Sequence, residues 1–310
     1  MMELSVVIPV YNAEACLPVL HRRLTEAIRK VTASYEIVLV DDRSTDQSWS
    51  ALVQLAKQDT RVRAYRLSRN FGQHAAITAG MELCEGSWAV VMDCDLQDPP
   101  EDIPRLYARA LEGFDVVLAR RKQRPDSLFR RLTARLYFGL LGLFNQTPVD
   151  RQHGSFSIVS RKVIDAYLRM GDRARHYLFL IRWLGFATVS IDYEPAERFA
   201  GRSGYTLGRL LHHAFDGIFF QTTLFLRWIV YLGFAIASGG FILAGYLIFH
   251  ALTRTLPPGW TSLAVLILVV GGLITISVGV AGLYIGKIFD EVRRRPLFII
   301  SEQIVDGIER

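Results

Sequence analysis

Asp93-Cys94-Asp95-Leu96-Gln97-Asp98-Pro99-Pro100 follows directly on the apolar run Trp88-Ala89-Val90-Val91-Met92, and the reading of that junction decides the fold. Four to five consecutive apolar residues read as a strand buried on both faces. Acids at the carboxyl end of such a strand stand where open α/β sheets take their ligands. Asp93 and Asp95, two apart in extended chain, project to the same side. With the amide oxygen of Gln97 they form a hard-oxygen set suited to Mg²⁺ or Mn²⁺ carrying a substrate phosphate. Acids and prolines also make ordinary surface turns, so the flanking chain has to decide between the two.

Upstream, Leu4–Val10 is strand-like and ends in Pro9-Val10-Tyr11-Asn12-Ala13-Glu14, a turn that presents a ring, an amide and a carboxylate. Leu17, Leu20, Leu24 and Ile28 have helical spacing, and Tyr35–Val40 is the next strand, ending in Asp41-Asp42. Ser44-Thr45-Asp46 offers N-cap chemistry to a helix through Trp49, Leu52 and Leu55. Val62–Leu67 reads as a third strand and Ala75–Leu83 as a small-residue helix able to lie close to a sheet. After the acidic cluster come a helix near Glu101–Leu111 and a fifth strand at Asp115–Leu118. This alternation predicts an α/β fold, Rossmann-like, with a mostly parallel sheet and helices on both faces. The three polar sets, Tyr11/Asn12/Glu14, Asp41/Asp42 and Asp93/Asp95/Gln97, all fall at carboxyl ends, where one nucleotide with its metal can touch them together.

Composition divides the chain. Of 310 residues 51% are hydrophobic, and the excess gathers after residue 223. Segments 228–251 and 260–285 are each about 24 residues or more, ~36 Å of helix against a hydrocarbon core of ~30 Å. A short connector with Pro257-Pro258 makes them a transmembrane helical hairpin. Arg209, Arg227, Lys287, Arg293, Arg294 and Arg295 flank it on one side, and only Arg254 lies in the connector, so both termini are expected in the cytoplasm. The expected organisation is a cytoplasmic domain over 1–223, with interfacial helices near 128–144 and 206–223, then a membrane hairpin over 224–287 and a cytoplasmic tail over 288–310. The Met1–Pro9 start lacks a basic n-region and cleavage site, which fits that orientation. Cys16, Cys84 and Cys94 have no paired or metal-type spacing, in keeping with a reducing compartment. A net charge of +6 with two spans points to anionic lipid rather than nucleic acid. Glycines in both spans permit close helix approach, and Pro296–Ile300 is a short strand candidate that could pair with another subunit of a homo-oligomer.

Pro9-Val10-Tyr11-Asn12, Asp41-Asp42 with Ser44-Thr45-Asp46, Ser68-Arg69-Asn70-Phe71-Gly72 and Asp93–Pro100 together resemble the motifs of glycosyltransferase family 2, GT-A fold, in its dolichyl-phosphate mannose synthase-like branch. That branch charges polyprenyl phosphates with sugars. The resemblance implies a nucleotide-sugar donor, an undecaprenyl or other polyprenyl phosphate acceptor, and Mg²⁺ or Mn²⁺. It implies that Pro9, Tyr11, Asn12, Glu14 and Asp42 bind the nucleoside, Asp93 the nucleotide and the metal, and Asp95 with Gln97 the metal. Arg120 and Arg131 match positions where the family places arginines near the acceptor phosphate; a bidentate guanidinium suits an oxyanion. Leu128–Phe144 sets arginines against an apolar face, as in an interfacial helix.

The segment Asp150–Val163 is similar to a family stretch that often carries an acid where this chain has Ser155. Asp150 is the remaining candidate base, although an acceptor phosphate with a second pKa of ~6 arrives largely ionised. Arg198-Phe199-Ala200-Gly201-Arg202-Ser203-Gly204-Tyr205 resembles the family's Arg-x-x-Gly-x-Ser-Lys-Tyr loop, with Gly204 where the lysine usually stands, and implies donor contacts by Arg198, Arg202 and Ser203. Arg182-Trp183 lacks the glutamine of the processive Gln-x-x-Arg-Trp motif, since Phe179 stands three before Arg182; the pair then reads as amphipathic packing. The expected activity is inverting transfer of one sugar, from a UDP-hexose in preference to GDP-mannose, at the cytoplasmic face of a bacterial inner membrane, with lipid A, O-antigen and protein modification all open as the fate of the lipid-linked sugar in the cell envelope. A processive polysaccharide synthase, and a non-catalytic scaffold or transport subunit, are the alternatives.

Overall fold

The structure, a computed structural model, describes residues 2–122, 153–172, 175–196, 231, 242, 260–293 and 295–309. The expected interfacial helices at 128–144 and 206–223, all but two residues of the first span, and the candidates Arg131, Asp150, Arg198, Arg202 and Ser203 lie outside these residues.

Nine strands form one sheet: β1 (Leu4–Val10), β2 (Tyr35–Asp41), β3 (Val62–Leu67), β4 (Trp88–Val91), β5 (Val116–Arg121), β6 (His153–Ser160), β7 (Thr188–Tyr193), β8 (Ile300–Val305) and β9 (Ile308–Glu309). Their order is β7-β5-β6-β4-β1-β2-β3-β8-β9. β1 lies parallel to β2 and β4, β2 to β3, and β5 to β7. The junctions β3/β8, β4/β6, β5/β6 and β8/β9 are antiparallel. The sheet is therefore mixed, which corrects the mostly parallel expectation. β6 and β8 cause the difference, since they enter from distant chain and run against their neighbours.

The parallel centre positions the site. From β1 the chain winds outward through β2 and β3, then returns to the other flank of β1 for β4. That reversal makes the carboxyl ends of β1 and β4 a topological switch point, where open α/β sheets take ligands in a crevice.

Helices α1 (Leu17–Ile28), α2 (Ser48–Gln58) and α4 (Ile103–Leu111) cover one face, while α3 (Gln73–Leu83), α5 (Arg161–Arg169) and α6 (Tyr177–Trp183) cover the other. β1 divides its side chains accordingly: Leu4, Val6, Ile8 and Val10 enter the first core and Val7 the second. In α1, Leu17, Leu20, Leu24 and Ile28 are at most 1% exposed. Burial of each stabilises the fold by ~1.5–3 kcal/mol. The small residues of α3 let it press on β1: a Cβ at Gly80 would lie 2.3 Å from Val7 Cγ1.

Acids also occur at the amino ends of the strands, where they are spent on structure. Glu36, 1% exposed, accepts from Ser5 Oγ at 2.7 Å and Arg63 Nη1 at 2.8 Å.

The chain divides into two compact units, with Met1–Ser127, Asp150–Ser203 and Arg295–Arg310 in the first. The tail strand candidate is displaced from 296–300 to β8, and it pairs with this chain's own β3, through Ala64↔Ile304 to Leu67↔Ile300, rather than with another subunit. The second unit contains α7 (Trp260–Val292), 33 residues long. Among the described residues no helix is long and apolar enough to cross a membrane. As backbone, α7 measures about 50 Å at ~1.5 Å per residue.

Candidate active site

Loops after β1 and β2 are laced together at the crevice. Asn12, with φ +49°, donates its N–H to Ser44 Oγ at 3.0 Å, and its Oδ1 accepts from Thr45 N at 2.8 Å and Thr45 Oγ1 at 3.2 Å. Ala13 N donates to Ser48 Oγ at 2.8 Å, and Glu14 Oε2 accepts from Gln47 N at 3.3 Å. Ser44 and Thr45 thus bind the β1 loop instead of capping α2, whose N-cap is Gln47. The lacing leaves Tyr11 49% exposed at the tip of β1, with its ring available for stacking. Pro9 sits in the strand itself, opposite Val40.

Asp42 is spent differently from expectation. At 3% exposure it accepts from Phe71 N at 2.7 Å and Gly72 N at 2.9 Å, one bond to each carboxylate oxygen. Burial raises its pKa and the two amides pull it back. It clamps the loop Ser68–Gly72, where Gly72 at φ +96° allows the entry into α3. Its neighbour Asp41 accepts from Ser44 N at 3.1 Å and faces Arg66 Nε at 3.1 Å. Arg66 reaches on to Glu302 of β8 at 3.1 Å, and Ser68 N donates to Ile299 O at 2.8 Å, so the carboxyl-terminal strand braces the same loops.

The acidic loop leaves β4 beside them. Asp93 Oδ1 accepts from both Gln73 Nε2 and Ser155 Oγ at 2.7 Å. Burial, then the adjacent Asp98, pushes its pKa up; the Ser155 bond opposes them, Asp95 adds to the rise and Arg121 opposes it, leaving a value of about 6. Asp95 Oδ1 accepts from Gln97 N at 3.1 Å in a turn whose centre, Leu96, has φ +62°. Gln97 O accepts from Ala196 N at 3.0 Å. Beneath the turn Asp98, fully buried, accepts from Tyr193 Oη at 2.5 Å and pairs with Arg121 Nη2 at 3.2 Å, while Arg121 Nε donates to Tyr193 Oη at 2.8 Å. This triad fixes the turn from below.

The triad, Gln73 and Ser155's bond to Asp93 were not among the expected site residues. Strand alternation is the signal that could have found Arg121: neighbours on β5 face opposite ways, so Arg120 and Arg121 serve different sides of the sheet. Arg120 pairs with Asp192 at 2.5 and 3.0 Å. Arg182 approaches His153 Nδ1 at 3.0 Å and Trp183 is 74% exposed, so the expected packing role of the pair does not hold.

Among the described residues no group of three or more His, Cys, Asp or Glu side chains could hold a metal ion. Two carboxylates with a nearby amide nevertheless fit Mg²⁺ or Mn²⁺, which typically take one or two carboxylates and fill the shell with water and substrate phosphate. Asp93, Asp95 and Gln97 are the residues that would hold it.

The sequence model described as glycosyl transferase family 2 matches residues 5–168, the stretch that carries the loops after β1, β2, β3 and β4 described above. The chain belongs to that family. An uncharacterized glycosyltransferase of Bacillus subtilis (strain 168) is 35% identical to this transferase over 307 residues, 98% of this chain and 94% of its own. An undecaprenyl-phosphate 4-deoxy-4-formamido-L-arabinose transferase of Photorhabdus laumondii is 36% identical over 315 residues, 98% of this chain and 95% of its own. Among solved structures, glucosyl-3-phosphoglycerate synthase from Mycobacterium tuberculosis, in complex with Mn²⁺, uridine diphosphate and phosphoglyceric acid, superposes with TM-score 0.51 at 18% identity, over 70% of this chain and 76% of its own. That likeness bears out the GT-A-like α/β fold of the family 2 domain.

Proposed function

We propose that this transferase moves one sugar from a nucleotide-sugar to a polyprenyl phosphate, undecaprenyl phosphate in a bacterial membrane, with inversion at the anomeric carbon. The observation that carries the reading is the convergence at the β1/β4 switch point of the laced Tyr11–Asn12 and Ser44–Thr45 loops with Asp93 and Asp95. The undecaprenyl-phosphate transferases that match nearly the whole chain support the acceptor class.

In this reading Tyr11 stacks on the base, Asn12 and Glu14 line the nucleoside, and Asp93, Asp95 and Gln97 face the diphosphate. Asp42 keeps the Ser68–Gly72 loop in place rather than touching ribose. A divalent ion, when bound, offsets the charge that develops on the departing diphosphate. An acceptor phosphate oxygen attacks the anomeric carbon. The bond from that carbon to the β-phosphate oxygen breaks, and its electron pair leaves with the nucleoside diphosphate. The acceptor is already ionised near neutral pH, so no base is needed and Asp150 is left without a necessary role. Arg198, Arg202 and Ser203 are assigned to closing over the donor, Arg120 and Arg131 to the acceptor side, and α7 with segment 228–251 to two membrane spans that hold the site at the cytoplasmic face. The donor is assigned as UDP-linked, a hexose in preference to GDP-mannose.

Membranes containing the full chain, given labelled nucleotide-sugars and undecaprenyl phosphate, should form an organic-extractable labelled lipid, and Asp95→Ala should abolish it. Transfer that survives Asp95→Ala, or no product from UDP-hexoses, UDP-linked 4-deoxy-4-formamido-L-arabinose and GDP-mannose alike, would sink the reading.

A further inference from the structure

β6 carries more polar chemistry than the donor site uses. Ser155 donates to Asp93, and His153 stands two residues before it, so their side chains leave the same face of the sheet. Arg120 is the cross-strand partner of His153, and Asp192 is the partner of Arg120 in β7, which places all four on that face. Ser190 and Arg182 join them: His153 Nε2 lies 2.9 Å from Ser190 Oγ and His153 Nδ1 lies 3.0 Å from Arg182 Nη2. A guanidinium has no lone pair, so Nδ1 must accept. The neutral ring then carries its proton on Nε2 and donates to Ser190. His153 is thereby a bracket that aims the Arg182 guanidinium along the sheet face.

Arg120 sits beside this bracket, held by Asp192 with side-chain exposures of 43% and 42%. An ion pair so open to water is screened, and an arriving anion can compete with Asp192 for the Arg120 guanidinium. Two guanidiniums and an imidazole therefore share one stretch of the sheet face, at ~3.4 Å per residue about 7 Å along β6 from the serine bound to Asp93. Phosphate fits this surface for two reasons: planar N–H forks match its oxygens, and its dianion needs more than one cation.

We propose that Arg182, oriented by His153, forms with Arg120 the seat of a phosphate monoester, which is the acceptor's phosphate in the transfer reading on which this inference rests. Trp183 follows Arg182 and is 74% exposed, an apolar neighbour for the first carbons of a lipid attached to that phosphate. The ligand is accordingly a lipid monophosphate rather than free phosphate. Arg182 is a binding residue and His153 a positioning one.

The test uses the full chain in detergent with farnesyl phosphate as acceptor probe. Arg182→Gln should raise the KM for farnesyl phosphate about tenfold or more through loss of a charge-assisted bond, with donor KM unchanged and partial recovery in Arg182→Lys. His153→Phe should raise the same KM less and leave donor KM alone. Calorimetry without donor gives an independent reading: the wild-type chain should bind farnesyl phosphate more tightly than farnesol or inorganic phosphate, and Arg182→Gln should erase the preference over farnesol. Equal binding of farnesyl phosphate and farnesol by the wild-type chain, or unchanged phosphate affinity in Arg182→Gln, overturns the seat. Inorganic phosphate binding as tightly as farnesyl phosphate overturns the lipid source. Absence of transfer from every donor counts against the transferase reading alone, because the calorimetric arm still decides the seat.

Discussion

Asp93→Asn is expected to make the ligand-free protein more stable while removing its capacity to hold the donor. Both donors to Asp93, Gln73 Nε2 and Ser155 Oγ, converge on Oδ1, and an asparagine oxygen placed there accepts the same two bonds. What disappears is a carboxylate whose pKa is raised from 3.8 to about 6, by burial first and by Asp98 next. A raised carboxylate pKa favours the folded state below the unfolded value and forfeits that stability as pH rises through the folded value. Above pH 6 the wild-type chain therefore carries an ionisation cost of up to ~3 kcal/mol, at 1.36 kcal/mol per pH unit. The variant carries none. Thermal unfolding of both proteins, in EDTA and without nucleotide, should put Asp93→Asn higher at pH 8 by up to ~6–12 °C, taking ~2–4 °C per kcal/mol for a domain of this size. The gap should close progressively between pH 6 and pH 4. A variant less stable than wild type at pH 8, or a gap independent of pH, would show that Asp93 carries no ionisation cost in the folded chain.

Gly80→Ala should cost about 1–3 kcal/mol in chemical denaturation, because its Cβ would meet Val7 Cγ1 at 2.3 Å; an unchanged midpoint would show that α3 can move off the sheet. Tyr193→Phe removes the hydroxyl shared by Asp98 and Arg121 and should cost about 1–3 kcal/mol while weakening Mn²⁺-dependent nucleotide binding, as measured by denaturation and calorimetry on one preparation. Glu302→Gln should leave the unfolding free energy within ~1 kcal/mol of wild type, since the pair with Arg66 is partly exposed, yet speed amide exchange at Ser68–Gly72. Exchange confined to the tail would mean that β8 does not brace the donor loops.

The centre of the fold is legible in the sequence because β1, β2 and β4 are apolar runs buried on both faces, which only a covered parallel sheet requires. β6 is not legible that way. Ser155 and Ser157 interrupt its apolar pattern, and Ser157, fully buried, is satisfied by Ser155 O at 2.9 Å and by Tyr177 Oη at 2.8 Å, the latter a partner twenty residues on. β8 is equally opaque, since its pairing with β3 depends on chain more than two hundred residues away. Motif likeness places Asp93, Asp95 and Tyr11 at one edge. It does not reveal that Asp42 holds a loop, that Arg121 lies under the acidic turn while Arg120 faces His153, or that Ser155 steadies Asp93. Those assignments depend on strand parity and register, which a motif does not carry.

In the proposed site a nucleoside diphosphate and a divalent ion meet at the carboxyl ends of β1 and β4. Calorimetric titration of the full chain with UDP, GDP, CDP and dTDP, with Mn²⁺ and again with EDTA, decides whether they do. At least one of these nucleotides should bind in Mn²⁺, EDTA should remove the binding, and Asp95→Ala should remove it without a change in thermal midpoint. Binding that is indifferent to EDTA and to Asp95→Ala, or no binding by the wild-type chain, would contradict that site.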